Sequence, residues 1–368
     1  MSKSLSTEFS FLPKTGRAAS FASADGVFPF FTSSQDTVKR TAQADCYGPA
    51  LVFGTGGSAS IHFVDGPFSA SNDCYVCKPN SGTMEDAKFA YYFLKSNIHL
   101  IEEGFKGAGL RHVSKKHLLE LEIPADEAID IHRVVAILDM ANAIRRKREQ
   151  ANALADNFLR SAFLEIFGDP SSNPNGHPVK HFETILLMPL RNGISPSSKG
   201  NISANVLTLS AITGDRFDAD QSKEGKFVEP ISAKDTVNRS DFYICRGNGS
   251  ADLIGKGYFA DRDIGGTAFP DTMIAAKPDP SKVTRAYLEK LWNSSFIRNQ
   301  IRAAARTTNG TFKINQTAAG AIQIPVPALS DQIRYEAIVD QVGQAMSKLA
   351  YGDDLFPALS QRAFRGEL

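Results

Sequence analysis

The hydrophobic residues of this chain follow two alternating kinds of spacing. In residues 1–122, short apolar runs such as Ala50–Phe53 and Ile61–Val64 are separated by glycine-rich turns, which predicts a mixed, β-rich body. From Ile123 to Phe167, apolar residues recur at intervals of three and four, which is typical of a long amphipathic helix. A second body follows in residues 169–323, and a second helical segment in residues 324–368.

The two helical segments are copies of each other. Ile324–Phe364 aligns with Ile123–Phe163 at a constant offset of 201 residues without a gap, and 11 of these 41 positions are identical. Both copies open with Ile-Pro, and Asp139 is matched by Asp340. Because shared composition does not explain this many identities, the sequence indicates a duplication in which each half is a body followed by a helix.

The length of the first helical segment requires a packing partner. We place Pro124 at its start, where a missing N–H costs nothing, and about 40 residues at ~1.5 Å each then form a rod of about 60 Å. Such a rod is stable in water only when its apolar stripe is covered. The second copy offers a stripe with heptad spacing, formed by Tyr335, Ile338, Val342, Ala345 and Leu349. Gly352 and Pro357 predict a kink or break in this second helix.

The two bodies also resemble each other. A helix is predicted over Asp86–Glu103 in the first and over Arg285–Arg306 in the second. The segment 175–182, which opens the second body, has no counterpart in the first. We therefore predict an α+β fold: two tandem α/β domains, 1–122 and 169–323, each followed by a long helix, 123–168 and 324–368. The helices are expected to pair as an antiparallel coiled coil with pseudo-twofold symmetry.

Composition and cysteine usage restrict the possible functions. The net charge of +1 leaves no global basic excess, so any nucleic-acid surface must be local. No apolar run approaches the ~20 residues of a membrane span, and we expect a cytoplasmic protein. Cys74 and Cys77 form a single C-x-x-C without a second pair or a His pair, which indicates reduced thiols near a strand. A catalytic or metal site at this pair is the alternative.

Sequence motifs of catalysis are missing. Gly255-Lys256 lacks the other positions of a phosphate-binding loop, and no metalloprotease, hydrolase, dinucleotide-binding or amino-methyltransferase motif occurs. Glu224-Gly225-Lys226 has the final form of a nuclease motif without a suitably placed upstream carboxylate. The sequence therefore predicts a non-catalytic protein without a metal or cofactor of its own.

Local charge is a chemical signal that repeats in both halves. Lys290–Ser330 contains five basic residues and no acidic one, and Gly104–Leu119 contains four basic residues, two histidines and no acidic one. Two basic faces at equivalent places suit contacts with phosphates, and the nearby Asn, Ser, Thr and Arg side chains can contact base edges. A solvated helix face is the alternative for either run.

Several short segments, in this order, resemble the DNA specificity subunits of type I restriction–modification systems. They are GVFPFFTSS at 26–34, the two Ile-Pro helix junctions, FLEIFGDP at 163–170, LTLSAITG at 207–214 and QRAFRGEL at 361–368. The resemblance implies that each body reads one half of a split DNA site, while the helices set the spacer and dock two modification subunits. It also implies that those subunits hold S-adenosylmethionine and methylate adenine, and that a separate restriction subunit cleaves DNA.

The candidate DNA-binding residues lie in the basic regions and the loops beside them. In the first domain they are Ser33, Ser34, Lys106, Arg111 and His112, and in the second they are Arg191, Lys199, Arg246, Asn248, Arg306, Asn309 and Lys313. Sequence does not separate base readers from phosphate contacts. Two other functions stay open: an orphan specificity subunit of another defence system, and a two-headed adaptor that binds proteins.

Overall fold

A computed structural model describes residues 2–35, 38–107, 109–125, 129–308, 310–349 and 355–367. Internal contacts divide the chain into two compact units: a first unit of Met1–Gln150 with Leu349–Leu368, and a second unit of Ala151–Lys348. Each unit therefore combines one body with parts of the helical segments, which the sequence-based boundaries treat separately.

The first unit begins with a body of short strands and helices. Its described strands are β1 (Ser2–Ser4), β2 (Phe9–Phe11), β3 (Phe28–Phe31), β4 (Lys39–Thr41), β5 (Cys46–Tyr47), β6 (Ala50–Gly54), β7 (Ser60–Val64), β8 (Pro67–Ala70), β9 (Cys74–Pro79), β10 (Phe105–Lys106), β11 (His112–Val113) and β12 (Glu122–Pro124). The helices are α1 (Leu5–Glu8), α2 (Met84–Ser96), α3 (His99–Glu102), α4 (Lys115–Leu119) and α5 (Ile131–Phe167), with a 3₁₀ turn at Ala19–Phe21.

Two four-stranded sheets form the core of the first unit. One has the order β2-β9-β6-β7 and is antiparallel, and the other has the order β4-β3-β8-β5, in which β3 and β8 are parallel. All five residues of β6 are buried. Leu51 and Phe53 join one hydrophobic cluster, and Ala50 and Val52 join another, because successive side chains of a strand point to opposite faces.

The second unit repeats this plan after α5. Its described strands are β13 (Val179–His181), β14 (Leu186–Asn192), β15 (Ile202–Leu207), β16 (Ser222–Phe227), β17 (Thr236–Val237), β18 (Phe242–Cys245), β19 (Gly247–Asn248), β20 (Gly257–Phe259), β21 (Ile264–Ala268), β22 (Met273–Pro278), β23 (Arg306–Thr308), β24 (Thr311–Lys313) and β25 (Gln323–Pro325). The helices are α6 (Ser210–Thr213), α7 (Arg285–Trp292), α8 (Ser295–Ala304), α9 (Gln316–Gly320) and α10 (Leu329–Leu349), with a 3₁₀ turn at Phe182–Ile185. Helix α11 (Leu355–Phe364) belongs to the first unit.

The sheets of the second unit correspond to those of the first. They have the orders β14-β22-β18-β20 and β16-β15-β21-β17, with β15 and β21 parallel like β3 and β8. Helix starts are repeated as well. The Thr83 hydroxyl accepts a hydrogen bond from Asp86 N before α2, and the Thr284 hydroxyl accepts one from Tyr287 N before α7. Such a cap satisfies one of the free N–H groups of a first helical turn.

The opening strand of the second body has a counterpart in the first. β1 pairs with β12, with Lys3 opposite Ile123, and β13 pairs with β25, with Lys180 opposite Ile324. The prediction that the first body lacks this opening element is therefore wrong. The side chains of both short strands are largely solvent-facing, so the strands carry no apolar pattern by which a sequence comparison could match them.

The Ile-Pro junctions end strands and do not begin helices. Pro124 is the last residue of β12 and Pro325 of β25, whereas α5 begins at Ile131 and α10 at Leu329. Placing Pro124 in the first helical turn is therefore wrong. Ile123 is buried in the core of the body, and a proline is tolerated where a strand ends because the ladder needs no further N–H donor there.

Both helices predicted within the bodies are divided in two. Asn97 separates α2 from α3, and Asn293 follows α7 just before α8. Each asparagine side chain donates to the carbonyl four residues earlier, at 2.9 Å to Phe93 O and 3.1 Å to Glu289 O. These side chains compete with continued helical bonding, and Arg306, predicted as the helix end, lies in β23.

The second helical segment is described as α10 and α11, and Gly352 lies outside the described residues. Pro357 is the third residue of α11, within the first turn, where N–H groups have no partner inside the helix. It is therefore compatible with a helix start, and the predicted kink or break of this segment falls between α10 and α11, on residues outside the described ranges. Of the predicted heptad stripe, Tyr335 is buried, whereas Ala345 and Leu349 are exposed.

Each unit packs its own part of α5 into a hydrophobic cluster. In the first unit, Val134 and Leu138 join Ala363 of α11. In the second unit, the Phe163 ring stacks on Tyr287 at 5.6 Å between centroids and meets Tyr335 edge-on at 5.5 Å. These clusters provide the cover that a helix of 37 residues needs.

Phe163→Ala is expected to lower the free energy of unfolding by about 3–5 kcal/mol, because it removes a buried ring between two tyrosines. Urea denaturation of the purified chain measures this change. Leu164→Ala is the matched control, since the Leu164 side chain is 42% exposed. Equal, small effects of both changes would show that the aromatic cluster does not anchor α5.

Candidate nucleic-acid interface

A glycine turn meets a short basic ladder in the first unit. Gly56 forms a β-bridge with His112, and His112 pairs across β10–β11 with Lys106. The Val113 N–H donates to Thr55 O at 3.0 Å, and His112 Nδ1 lies 3.1 Å from the same oxygen. A Cβ at Gly56 would lie 3.0 Å from the His112 ring, so any larger residue there would push against the ring.

The second unit contains the equivalent arrangement. Gly247 of β19 pairs with Lys313 of β24, and Lys313 pairs with Arg306 of β23. The Ile314 N–H donates to Arg246 O at 2.9 Å, as Val113 does to Thr55 O in the first unit. His112 and Lys313 are therefore equivalent positions, and so are Lys106 and Arg306.

In the ladder of the second unit, two positively charged side chains lie directly opposite each other. Both Arg306 and Lys313 are exposed, and within the described ranges no ion pair joins either of them to a carboxylate. Like charges directly opposite each other in a sheet destabilise the pair. An anion that contacts both side chains would remove this repulsion, so the arrangement suits a phosphate group.

Ser33, which lies just after β3, contacts the glycine turn of the first unit, and Ser34 follows it in the chain. The Ser33 hydroxyl donates to Asp73 O at 2.7 Å and accepts from Gly56 N at 3.2 Å. The carbonyl of Ser34 lies 3.2 Å from His62 Nε2. Ser33 therefore shapes the turn with its hydroxyl, which leaves less of that group for a base.

Arg111 lies beside His112 and supports the same loop. Its guanidinium donates to Phe105 O, at 3.0 Å from Nη2 and 3.3 Å from Nε, while its own carbonyl accepts from Gly57 N at 3.3 Å. The structure therefore brings Ser33, Lys106, Arg111 and His112 together around the turn.

In the second unit, Arg246 and Asn248 flank Gly247. Arg246 Nη1 donates to Asp271 O at 3.0 Å, and Asn248 Oδ1 accepts from Ser250 N at 2.9 Å. Both residues are partly exposed and lie beside Lys313. Lys199 is exposed on a different loop, between β14 and β15, and Asn309 lies outside the described residues.

Arg191 has a structural partner. Its guanidinium forms an ion pair with Asp241, which is almost completely buried, and Nε donates to Lys234 O at 3.0 Å. Burial raises the pKa of the Asp241 carboxyl, while the nearby Arg191 charge lowers it. These contacts favour a role of Arg191 in the fold, and its contact with DNA stays a prediction.

The basic run Lys290–Ser330 separates into buried and exposed cations. Arg298 is 9% exposed, and its Nη2 donates to the carbonyls of Asp252 and Ala251 at 3.0 and 3.3 Å. Arg302 forms a 2.6 Å ion pair with Asp252. Arg306 and Lys313 are the members of the run that remain exposed on the ladder.

Comparisons with known proteins show which family this chain resembles. The family model described as type I restriction modification DNA specificity domain matches residues 14–129. The EcoDI specificity subunit of Escherichia coli is 23% identical, over 95% of this chain and 84% of its own length. The StySPI specificity subunit of Salmonella potsdam is also 23% identical, over 82% of this chain and 70% of its own length. The chain is therefore similar to type I specificity subunits over most of its length.

A solved structure has the same fold as this chain. The S subunit of the type I system from M. genitalium superposes with a TM-score of 0.65 at 15% identity, covering all of this chain and 96% of that one. The family model and the two relatives bear out the predicted resemblance to type I specificity subunits.

The four cysteines of the chain are buried and free. Cys74 and Cys77 belong to β9 but to different hydrophobic clusters, because residues three apart in a strand face opposite sides. Burial raises the pKa of the Cys74 thiol to about 11 and raises that of Cys77 as well. No cluster of metal-ligating side chains occurs among the described residues, and no helix there has the length and apolar character of a membrane span.

Sequence reasoning missed the two glycines opposite the ladders. Gly56 and Gly247 both lie in glycine-containing turns. Their place in the candidate site depends on which strand pairs with them, and the sequence of the turn does not show this. Aligning the two bodies turn by turn would pair Gly56 with Gly247, and the signal is a glycine kept where the neighbouring residues differ.

Arg191→Ala is expected to lower the free energy of unfolding by about 3–5 kcal/mol at pH 7.5, because it leaves a buried carboxylate unpaired. Without Arg191, the folded-state pKa of Asp241 rises further above its unfolded value. The folded state then binds a proton more readily than the unfolded state, so the deficit should shrink as the pH falls towards 5. Urea midpoints at both pH values measure the effect.

The control for this prediction is the double variant Arg191→Ala with Asp241→Asn. It removes the charge, so it should be more stable than Arg191→Ala at pH 7.5 and no longer depend on pH in this way. An Arg191→Ala chain that is as stable as the parent but binds DNA weakly would instead assign Arg191 to the DNA surface.

Proposed function

We propose that this chain is a type I specificity subunit. It reads a bipartite site in double-stranded DNA, one half with each unit, and it carries out no chemistry itself. The observation that carries the proposal is the repeated ladder, in which a basic side chain faces a second basic or histidine side chain beside a glycine. Its occurrence in both units supports a shared ligand. Phosphates of one DNA duplex are such a ligand, since they recur along both half-sites.

The ladder and the side chains around it have different expected tasks. Lys106, Arg306 and Lys313 extend from exposed strands and suit phosphate contacts, which position the protein. Arg246 and Asn248, at the edge of the same sheet, offer donors and acceptors of the kind that distinguish base pairs in the major groove. We therefore propose that sequence reading occurs beside the ladder and that most of the affinity comes from it.

We propose that α5 pairs in antiparallel fashion with the last helical segment. Tyr335 of α10 packs on Phe163 near the end of α5 in the second unit, and Ala363 of α11 packs near Val134 and Leu138 at its start in the first unit. The order of these contacts along α5 is the reverse of their order in α10 and α11, as an antiparallel pair requires. Such a pair would set the spacer between the half-sites.

The helical segments also offer a surface for the partner subunits. Met140 and Leu154 of α5 are 64% and 70% exposed, and Phe158 is 55% exposed. Large apolar side chains exposed on one helix mark a protein interface. We propose that two modification subunits dock along the helices, supply S-adenosylmethionine and methylate adenine, and that a restriction subunit joins the complex to cleave DNA. No cofactor is then needed in this chain.

Two other assignments lead to different observations. An orphan specificity subunit would bind DNA with the partner of another defence system. A two-headed adaptor would show no salt-dependent DNA binding, because protein–protein contacts do not release the counterions of a duplex.

The double variant Arg306→Ala with Lys313→Ala is expected to weaken DNA binding for all sequences alike. The slope of log K against log salt should fall by about 0.9 for each phosphate that the variant no longer neutralises. The complex with the modification subunit is titrated with a fluorescent duplex at several salt concentrations. Arg262→Ala, which removes an exposed arginine far along the chain from the ladder, is the control. An unchanged affinity and slope would refute the phosphate role of the ladder.

Insertion of four residues after Gln150 is expected to change the tolerated spacer and leave both half-sites the same. One helical turn adds about 6 Å, which corresponds to about two base pairs at ~3.4 Å each. Methylated adenines are mapped in host DNA with no chain, the parental chain and the insertion variant, and Gln150→Ala is the control of equal length. An unchanged spacer would show that the helices do not set the distance between the half-sites. If adenine methylation did not depend on the chain, the proposed function would be wrong.

A further inference from the structure

The first unit contains a cleft that the DNA contacts do not use. It has a volume of about 640 Å³ and lies between α2, the first part of α5 and α11. Tyr91, Phe356 and Phe364 give it an apolar lining, and each of these rings is only partly buried. The cleft is therefore formed by aromatic side chains that an additional apolar group could cover.

The rim of this cleft is positively charged. Lys95, Arg145 and Arg365 line it and are exposed, and none of the described lining residues is acidic. Arg145 also forms a 2.6 Å ion pair with Glu149, one helical turn along α5. In a chain with a net charge of +1, three cations around one apolar cleft favour a ligand with carboxylate groups.

A buried hydroxyl in the cleft lacks a partner. Ser360 of α11 is 1% exposed and lines the cleft, yet its Oγ has no hydrogen-bond partner among the described residues. Leaving a buried hydroxyl unpaired is unfavourable, and nearly all such groups are satisfied in proteins. A ligand that supplies a backbone N–H or carbonyl would satisfy it.

The second unit has a cleft of about 670 Å³ at the equivalent place. At an offset of 201 residues, four lining residues of the first cleft in and just after α11 correspond to residues of α5 that line the second. Ser360, Gln361, Phe364 and Arg365 correspond to Leu159, Arg160, Phe163 and Leu164. The lining of the second cleft also includes the acidic residues Asp169, Asp215 and Glu289. The two clefts therefore lie at equivalent places of the duplicated halves. They differ in charge, because the described charged residues that line the first cleft are all cations.

We propose that the cleft of the first unit binds an acidic peptide segment of a partner protein, with an aromatic or aliphatic side chain as its anchor. The anchor fills the space beside Tyr91, Phe356 and Phe364, carboxylates contact the basic rim, and a backbone group bonds to Ser360. A DNA duplex is too wide to enter a cleft of this volume and would reach its rim alone. The cleft shares no residue with the proposed ladder contacts.

The test uses the full chain and a fluorescent dodecapeptide of alternating Glu and Leu around a central Phe. Two matched peptides carry Lys in place of Glu, or Gly in place of Leu and Phe. Fluorescence anisotropy should show at least a tenfold tighter binding of the acidic, anchored peptide than of either control, on the order expected when charge pairs or an apolar anchor are removed. Equal binding of the three peptides would overturn the proposal.

Variants of the rim and of Ser360 identify the cleft as the binding site. Lys95→Glu combined with Arg365→Glu should lower the affinity for the peptide at least about tenfold. Arg362→Glu, in α11 but outside the lining of the cleft, should leave this affinity unchanged. Ser360→Ala should weaken the peptide about threefold to tenfold, yet raise the unfolding temperature of the free chain because the unpaired hydroxyl is removed. An unchanged affinity of the rim variant would overturn the proposal.

A competing 20-base-pair duplex separates the peptide from DNA as the ligand. If the duplex displaces the peptide, and the rim variant weakens duplex and peptide equally, the cleft is a DNA contact and the proposal is wrong. The ladder variant Arg306→Ala with Lys313→Ala should leave peptide affinity unchanged, so a failed DNA experiment and a failed peptide experiment can be told apart.

Discussion

Burial of different parts of α5 in two separate hydrophobic clusters is the interaction on which both units depend. An isolated helix is marginal in water, and much of the middle of α5 is exposed. Val134 and Leu138 bury one part in the first unit, and Phe163 and Phe167 bury another in the second. Each unit therefore completes its core with a segment of the same helix, and a defect in either cluster weakens an element that both units share.

Features set by apolar periodicity were predictable from the sequence. The stripe of α5, the buried strand Ala50–Phe53 and the duplication all follow from spacing that local physics requires. The Ile-Pro junctions, the asparagine breaks and β1 were not predictable, because tertiary contacts decide them. For example, Pro124 would fit the first turn of a helix, but the preceding Ile123 is buried in the core of the body and keeps this segment in a strand.

The candidate site was predictable to the level of its charge and no further. The absence of acidic residues around Arg306 and Lys313 in the sequence indicated a basic region. The same run also contains Arg298, however, whose guanidinium already donates hydrogen bonds to backbone carbonyls. Arg191 looked like a loop residue and has a buried acid as partner. Which cations remain available depends on carbonyls and carboxylates that are distant in the sequence, and no local pattern encodes them.

The strands that open and close each body have a consequence for how the chain can evolve. Because Lys180 is paired with Ile324 and Lys3 with Ile123, the chain enters and leaves a body through adjacent strands. A whole body can therefore be exchanged by recombination at two short, neighbouring seams, without a change in the path of the helices. In evolutionary terms the body is a cassette that one genetic event can replace while the strands that frame it are preserved.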